Sequence, residues 1–151
     1  MRIGIISDTH GLLRPEAITA LSGVDHILHA GDVGDMDILE SLRVIAPVTA
    51  IRGNTDTFGP CSHLHETECV VLGGKLFYLV HSVHDLAIKP ETAGVAVVVS
   101  GHSHTPLIEM RHGVLYLNPG SAGPRRFRLP VTIAVVELAT GLEAAIVELA
   151  L

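Results

Sequence analysis

The chain has 151 residues, enough for one domain with a full core and too few for two of ordinary size. Hydrophobic residues make up 48% of it and aromatic residues only 3%, which favours a well-buried sheet and leaves few platforms for stacking bases. A formal charge of −6 argues against a broad nucleic-acid surface, because neutralising phosphates needs clustered Lys and Arg, and only Arg125-Arg126-Phe127-Arg128 approaches a basic run.

The elements follow in order. Residues 1–10 open with the apolar run Ile3-Gly4-Ile5-Ile6 and end in Ser7-Asp8-Thr9-His10, which predicts a buried strand delivering two metal-ligand side chains at its carboxyl end. Leu12 to Ser22, with Pro15 near its start and apolar residues at Leu13, Ala17, Ile18 and Leu21, predicts an amphipathic helix ending at Gly23. Val24 to Ala30 is a second strand that stops at Gly31-Asp32-Val33-Gly34, and Asp35 to Arg43 is a short helix with an acidic first turn. A third strand, Pro47 to Ile51, runs into Arg52-Gly53-Asn54-Thr55-Asp56.

Residues 57–65 turn to Gly, Pro, Ser and His and read as a loop. Glu68 to Leu72, Gly73-Gly74 and Lys75 to Val80 predict a hairpin with a primed turn, followed by His81-Ser82-Val83-His84. The Val/Ala run from Val95 to Ser100 is a buried strand ending in Gly101-His102-Ser103-His104. Four further strands are predicted at 107–110, 114–117, 132–137 and 142–148. An order of βαβαβ followed by hairpins predicts one α/β domain over 1–151, with two mixed sheets face to face and helices outside.

Single Asp-x-His or His-x-His pairs carry little weight in a chain with 10 His. Order and place carry more. Asp8-x-His10, Gly31-Asp32, Gly53-Asn54, His81 and Gly101-His102-x-His104 each follow a strand, so all can converge on one rim, the edge where open α/β sheets bind ligands. Carboxylate oxygen with imidazole suits first-row divalent metals better than calcium. A spacing of two along an extended strand end would put both members of a pair on one face.

As an ordered set, from Ser-Asp-Thr-His at 7–10 through Asn-Pro-Gly-Ser at 118–121, these motifs resemble the calcineurin-like metallophosphoesterases, in particular the small YfcE-type phosphodiesterase group. The resemblance implies a four-layer αββα sandwich and a dinuclear centre. Carried over residue by residue, it makes Asp8, His10 and His104 ligands of one metal, Asn54, His81 and His102 ligands of the other, and Asp32 the bridge. Asn54 would also meet substrate. Many members have His directly after the Gly-Asn, acting on the leaving group; Thr55 stands there in this chain, the small group usually lacking that His and often having Cys there, and Ser82 follows His81 where Gly is commoner.

The expected activity is metal-dependent phosphodiester hydrolysis, with a hydroxide held between two metals attacking phosphorus and water protonating the leaving group. Manganese is the first choice of metal, with nickel, iron, zinc or magnesium as alternatives. A phosphomonoesterase or nucleotide hydrolase would use the same machinery, and the family's retromer subunit shows that the fold also serves as a protein-interaction scaffold. Asp56 and His84 are candidates to orient a ligand or donate a proton, and Ser121 and Arg125, with Arg126 and Arg128, to meet substrate phosphate. His26, His29 and His112 read as strand or turn residues, and His63 and His65 as part of a solvated lid. The partner expected is a small phosphate ester, with a homo-oligomer left open. No charged and apolar leader precedes the first strand, no apolar run reaches the ~18 residues of a membrane span, and Cys61 and Cys69 lack Cys-x-x-Cys spacing, so a reduced, cytoplasmic setting is expected.

Overall fold

Alternation in the first strand decides the layering. In β1 (Arg2–Ile6), Ile3 and Ile5 point into the core between two sheets, while Ile6 points to the opposite face, where the helices lie. Gly4 shares that outer face, and a Cβ there would collide with the Cδ2 of Leu21, so its missing side chain lets α1 (Pro15–Ala20) settle on the sheet. The computed structural model describes residues 1–151.

The chain continues through β2 (His26–His29), α2 (Met36–Arg43) and β3 (Val48–Ala50). These βα units give a parallel trio, β1 to β2 to β3. Of the last two strands, β9 (Thr132–Leu138) runs antiparallel beside β1 and β10 (Leu142–Glu148) antiparallel beside β9, completing a sheet ordered β10-β9-β1-β2-β3. The second sheet is ordered β4-β5-β6-β8-β7, from β4 (Thr67–Leu72), β5 (Lys75–Val80), β6 (Val97–Val99), β7 (Leu107–Arg111) and β8 (Val114–Asn118). Here too the central trio, β5, β6 and β8, is parallel. Gly73 and Gly74, with φ of 56° and 78°, make the primed β4-β5 turn that L residues with a Cβ disfavour.

Between the sheets lie Ile3, Ile5, Leu28, Phe77, Leu79, Val97, Val99 and Leu117. Both α-helices cover the outside of the first sheet through Ala17, Ile38, Leu39 and Leu42. The outside of the second is covered by a single 3-10 turn, Val83–Asp85, and the segment after it, with Leu86 and Ile88 packing on Val80, Val95, Val98 and Val114. The first helix begins three residues later than its apolar pattern. The reason is competition for backbone donors: His10 and Gly11 give their N–H groups to the carbonyls of Asp32 and Val33, and Leu12 bonds Thr9. The second helix starts where its pattern does, with Asp35 as cap accepting the N–H of Asp37 at 2.9 Å.

Candidate metal centre

Six parallel strands, three per sheet, release their carboxyl ends on the same side, and the segments that follow them carry every expected ligand. The backbone there is not extended. Asp8, His10, Asp32, His102 and His104 all have positive φ, between 45° and 70°, and they are five of the seven non-glycine residues in the chain that do. Left-handed backbone costs energy for residues with a Cβ and persists where surrounding structure enforces it. Asp8 and His10 therefore converge through a turn, and the extended strand end expected for them is corrected: their N–H groups bond Gly31 and Asp32 on the neighbouring loop.

Two groups of ligand atoms form, each within 4.8 Å of one another: Asp8 with His10 and His104, and Asp8 with Asp32 and His81. The Oδ2 of Asp32 lies 3.6 Å from His10 Nε2 and 3.2 Å from His81 Nε2. The Oδ1 of Asp8 lies 3.3 Å from His104 Nε2, 3.7 Å from His10 Nε2 and 3.8 Å from His81 Nε2. It is thus common to both groups. On the far side, His102 Nδ1 meets Asn54 Oδ1 at 3.1 Å, and the rings of His81 and His102 lie 5.2 Å apart.

These side chains fit a cation. The second oxygen of Asp8 is satisfied, accepting from Ser7 Oγ at 2.6 Å and from the N–H of His102 at 3.1 Å, but its buried Oδ1 has no hydrogen-bond partner. His81 Nδ1 donates to the carbonyl of Ala30 at 2.7 Å, which leaves Nε2, buried and also unpartnered, aimed at two carboxylates. A lone pair facing anions is repulsive unless a proton or metal ion sits between them. Burial works to raise the Asp8 and Asp32 carboxyls, yet both are held below the usual range: Asp8 by the nearby His104 ring and the Ser7 hydroxyl, Asp32 by the nearby His81 ring and the N–H of Thr55. His81 is shifted up, because the Asp32 carboxylate and the Ala30 carbonyl outweigh burial. Anionic oxygens are thus ready to ligate at neutral pH.

Of the remaining predicted residues, Asp56 is buried behind the loops, where it accepts the N–H groups of Val33, Gly34 and Gly53 at 3.1, 3.0 and 2.9 Å. These bonds tie the loop after β2, which carries Asp32, to the loop after β3, which carries Asn54. Ser121 is buried as well, donating to the carbonyl of Asp8 at 3.0 Å, so it braces the turn that carries Asp8. Arg125 is exposed on the loop that follows. His84 is exposed and lines a side cavity of about 270 Å³ with Tyr116 and Asn118, bonded to none of the ligands. The main cavity, about 440 Å³, lies over His81, Asn54 and His102 and is walled by Arg52, Glu66 and Asp85. Arg52 reaches Glu66 at 2.9 Å there.

Two supporting residues were not foreseen. His29, read as a strand residue, is fully buried. Its Nδ1 accepts the N–H of Gly31 at 3.1 Å, so Nε2 carries the proton and donates to Thr9 Oγ1 at 3.0 Å, and Thr9 in turn donates to the Val33 carbonyl at 2.8 Å. Burial pushes its pKa down to about 4. Asn118, seen in sequence only as part of a turn, donates to the Gly101 carbonyl at 2.9 Å and accepts from the Gly120 N–H at 2.9 Å. The signal in sequence was position alone: both close strands at the rim where the candidate ligands lie.

Residues 1–141 match the family model of the calcineurin-like phosphoesterase superfamily domain. A probable metallophosphoesterase of Methanocaldococcus jannaschii is 40% identical over 130 residues, covering 80% of this chain and 68% of the relative. Among solved structures, an archaeal phosphodiesterase superposes with a TM-score of 0.80 at 23% identity, covering 97% of this chain and 100% of the other. Vps29 of Chaetomium thermophilum gives 0.78 at 16% identity, covering 99% and 100%. At these identities the two structures speak for the fold.

Proposed function

The chain belongs to the calcineurin-like phosphoesterase superfamily, and from that membership we propose that it is a phosphodiesterase working with two divalent metal ions. The observation that carries the reading is the Asp32 carboxylate, whose Oδ2 stands between His10 at 3.6 Å and His81 at 3.2 Å, where one oxygen can serve two ions. Asp8, His10 and His104 would hold the first, and Asn54, His81 and His102 the second. Mixed oxygen and imidazole donors keep manganese first, ahead of nickel, iron, zinc and magnesium. Bound there, the ions would supply Lewis acidity, lowering the pKa of water and drawing charge from phosphoryl oxygens.

The protein's own part is placement. Ser7 and the His102 amide hold Asp8 by one oxygen and leave the other to ligate, Ala30 fixes the His81 tautomer, and Asp56 ties the Gly31 and Gly53 loops together. Thr55 brings no titratable side chain to the leaving group; its backbone N–H holds Asp32 Oδ1 at 2.9 Å. The leaving-group proton then comes from solvent, which favours esters with good leaving groups. Absence of the loop histidine and likeness to an archaeal phosphodiesterase support diesters over monoesters. Cys61 and Cys69, both free, suit the reducing cytoplasm that belongs to the same proposal.

Likeness to Vps29 favours a second reading, a binding scaffold on the same fold. Turnover of bis-p-nitrophenyl phosphate and p-nitrophenyl phosphate by metal-stripped protein titrated with manganese, nickel, zinc, iron and magnesium separates the two. Metal-dependent diester cleavage is expected, falling by more than about 100-fold in Asp32→Ala. Undiminished turnover in that variant sinks the mechanism, monoester preference moves the reading to a phosphatase, and a stoichiometric protein partner without turnover under any metal moves it to the scaffold.

A further inference from the structure

The arginines divide into two sets. Arg2, Arg52 and Arg111 pair with Glu137, Glu66 and Glu109 at 3.1, 2.9 and 2.8 Å, and Arg43 pairs with Glu40. Arg14, Arg125, Arg126 and Arg128 have no carboxylate within 4.0 Å. Three of them fall at positions 125, 126 and 128, and Arg14 bonds the same segment. Arg14 donates from Nη2 to the carbonyl of Gly123 at 3.2 Å, and Arg125 from Nη1 to that of Leu129 at 3.3 Å, so both brace one loop.

That loop is rooted on the ligands. The bridge between Ser121 and Val131 closes it, and Gly123 lies so close to the carbonyls of Asp8 and Thr9 that a Cβ would not fit. Two residues of chain keep the Arg125 Cα within about 7 Å of that of Gly123. Between Arg126 and Arg128, Phe127 is 89% exposed and held at a φ of 53°. Left-handed backbone at a bulky residue is costly, and here no burial of the ring offsets it.

We propose that the loop at residues 124–128 is a nucleotide subsite beside the metal centre, in which Arg126 and Arg128 receive a second phosphate of the substrate and Phe127 stacks on its base. The inference rests on the phosphoesterase reading and names its substrate class. Guanidinium matches phosphate oxygens in paired hydrogen bonds, and an exposed ring accepts any base face. The ligand is small: with the other arginines neutralised by glutamates and a net charge of −6, there is no track for a long strand.

Calorimetric titration of the manganese-loaded chain with adenosine 3′,5′-bisphosphate, AMP and inorganic phosphate tests this without requiring turnover. The bisphosphate is expected to bind about tenfold more tightly than AMP at low salt, with the advantage lost in R126Q/R128Q and reduced by added salt. F127A should weaken both nucleotides by about tenfold relative to inorganic phosphate. Thermal melts of these exposed-site variants should match the parent, so a changed ratio reports binding. Equal affinity for the bisphosphate and AMP, or a ratio indifferent to R126Q/R128Q, overturns the proposal. So does arginine-dependent sedimentation with phosphatidylserine vesicles without any bisphosphate preference, which would make the loop a membrane contact. Failure of diester turnover with nucleotide binding intact would instead sink the phosphoesterase reading alone.

Discussion

Gly53 lies directly against Asp32, and a Cβ there would strike both the Oδ1 and the backbone nitrogen of that residue. Gly53→Ala must therefore displace the carboxylate proposed to serve both ions, and manganese affinity measured by calorimetry should fall by about 10–100-fold with turnover falling alongside. His29 makes a different prediction, in pH. Its folded pKa, near 4, is depressed from 6.5 by burial, so the unfolded chain binds the extra proton first. Stability from this site is whole above pH 6.5, is lost as pH falls from 6.5 through 4, and does not fall further below that. The loss amounts to about 3 kcal/mol. Denaturant unfolding of metal-free protein across this window should show it, and the difference from His29→Asn, which cannot titrate, isolates the histidine; parallel curves would assign the effect elsewhere.

At the scale of elements, the ligand loops are held by side chains from other strands. Asn118, at the end of β8, binds the loop after β6 through the Gly101 carbonyl and its own turn through Gly120. Asn118→Ala leaves a buried carbonyl unpaired, at a cost of about 1–3 kcal/mol, and should loosen the His102 and His104 side of the centre. Reduced metal affinity together with a lower unfolding midpoint is the expected result. Asp35→Ala provides the contrast. It removes only the cap of α2, so it should cost about 1 kcal/mol in denaturant unfolding and leave metal affinity at the parent value.

For the molecule as a whole, two carboxylates and several imidazoles crowd one rim of a chain already at −6. Ions that bind only the folded chain must stabilise it, by about 2.7 kcal/mol for one site at a hundred times its Kd. For this size of protein that is a rise in Tm of about 5–10 °C, and a chelator should reverse it. A scanning-calorimetry trace indifferent to manganese would count against the two-ion reading.

Much of this was legible in sequence, because strand ends and their punctuation are local. Ile3-Gly4-Ile5-Ile6 before Ser-Asp-Thr-His, or the valine run before Gly-His-Ser-His, carries both the buried strand and the ligand that follows it, and the order of such units implies one rim. The same locality explains what stayed hidden. Asp56 beside Asn54 reads equally as an orienting residue or a proton donor, and its bonds to the amides of Val33 and Gly34, more than twenty residues away, are invisible in that spacing. Nor does spacing show that Ser121 meets the carbonyl of Asp8, or that His29, which reads as the strand residue it is, has its tautomer fixed by Thr9 and Gly31. By itself the sequence determined the strands, their order and the candidate residues that crowd one rim. Only the tertiary structure decided the left-handed turns that bring these side chains together and which polar residues are tied to distant loops, because a hydrogen bond between distant loops leaves no trace in the spacing of either.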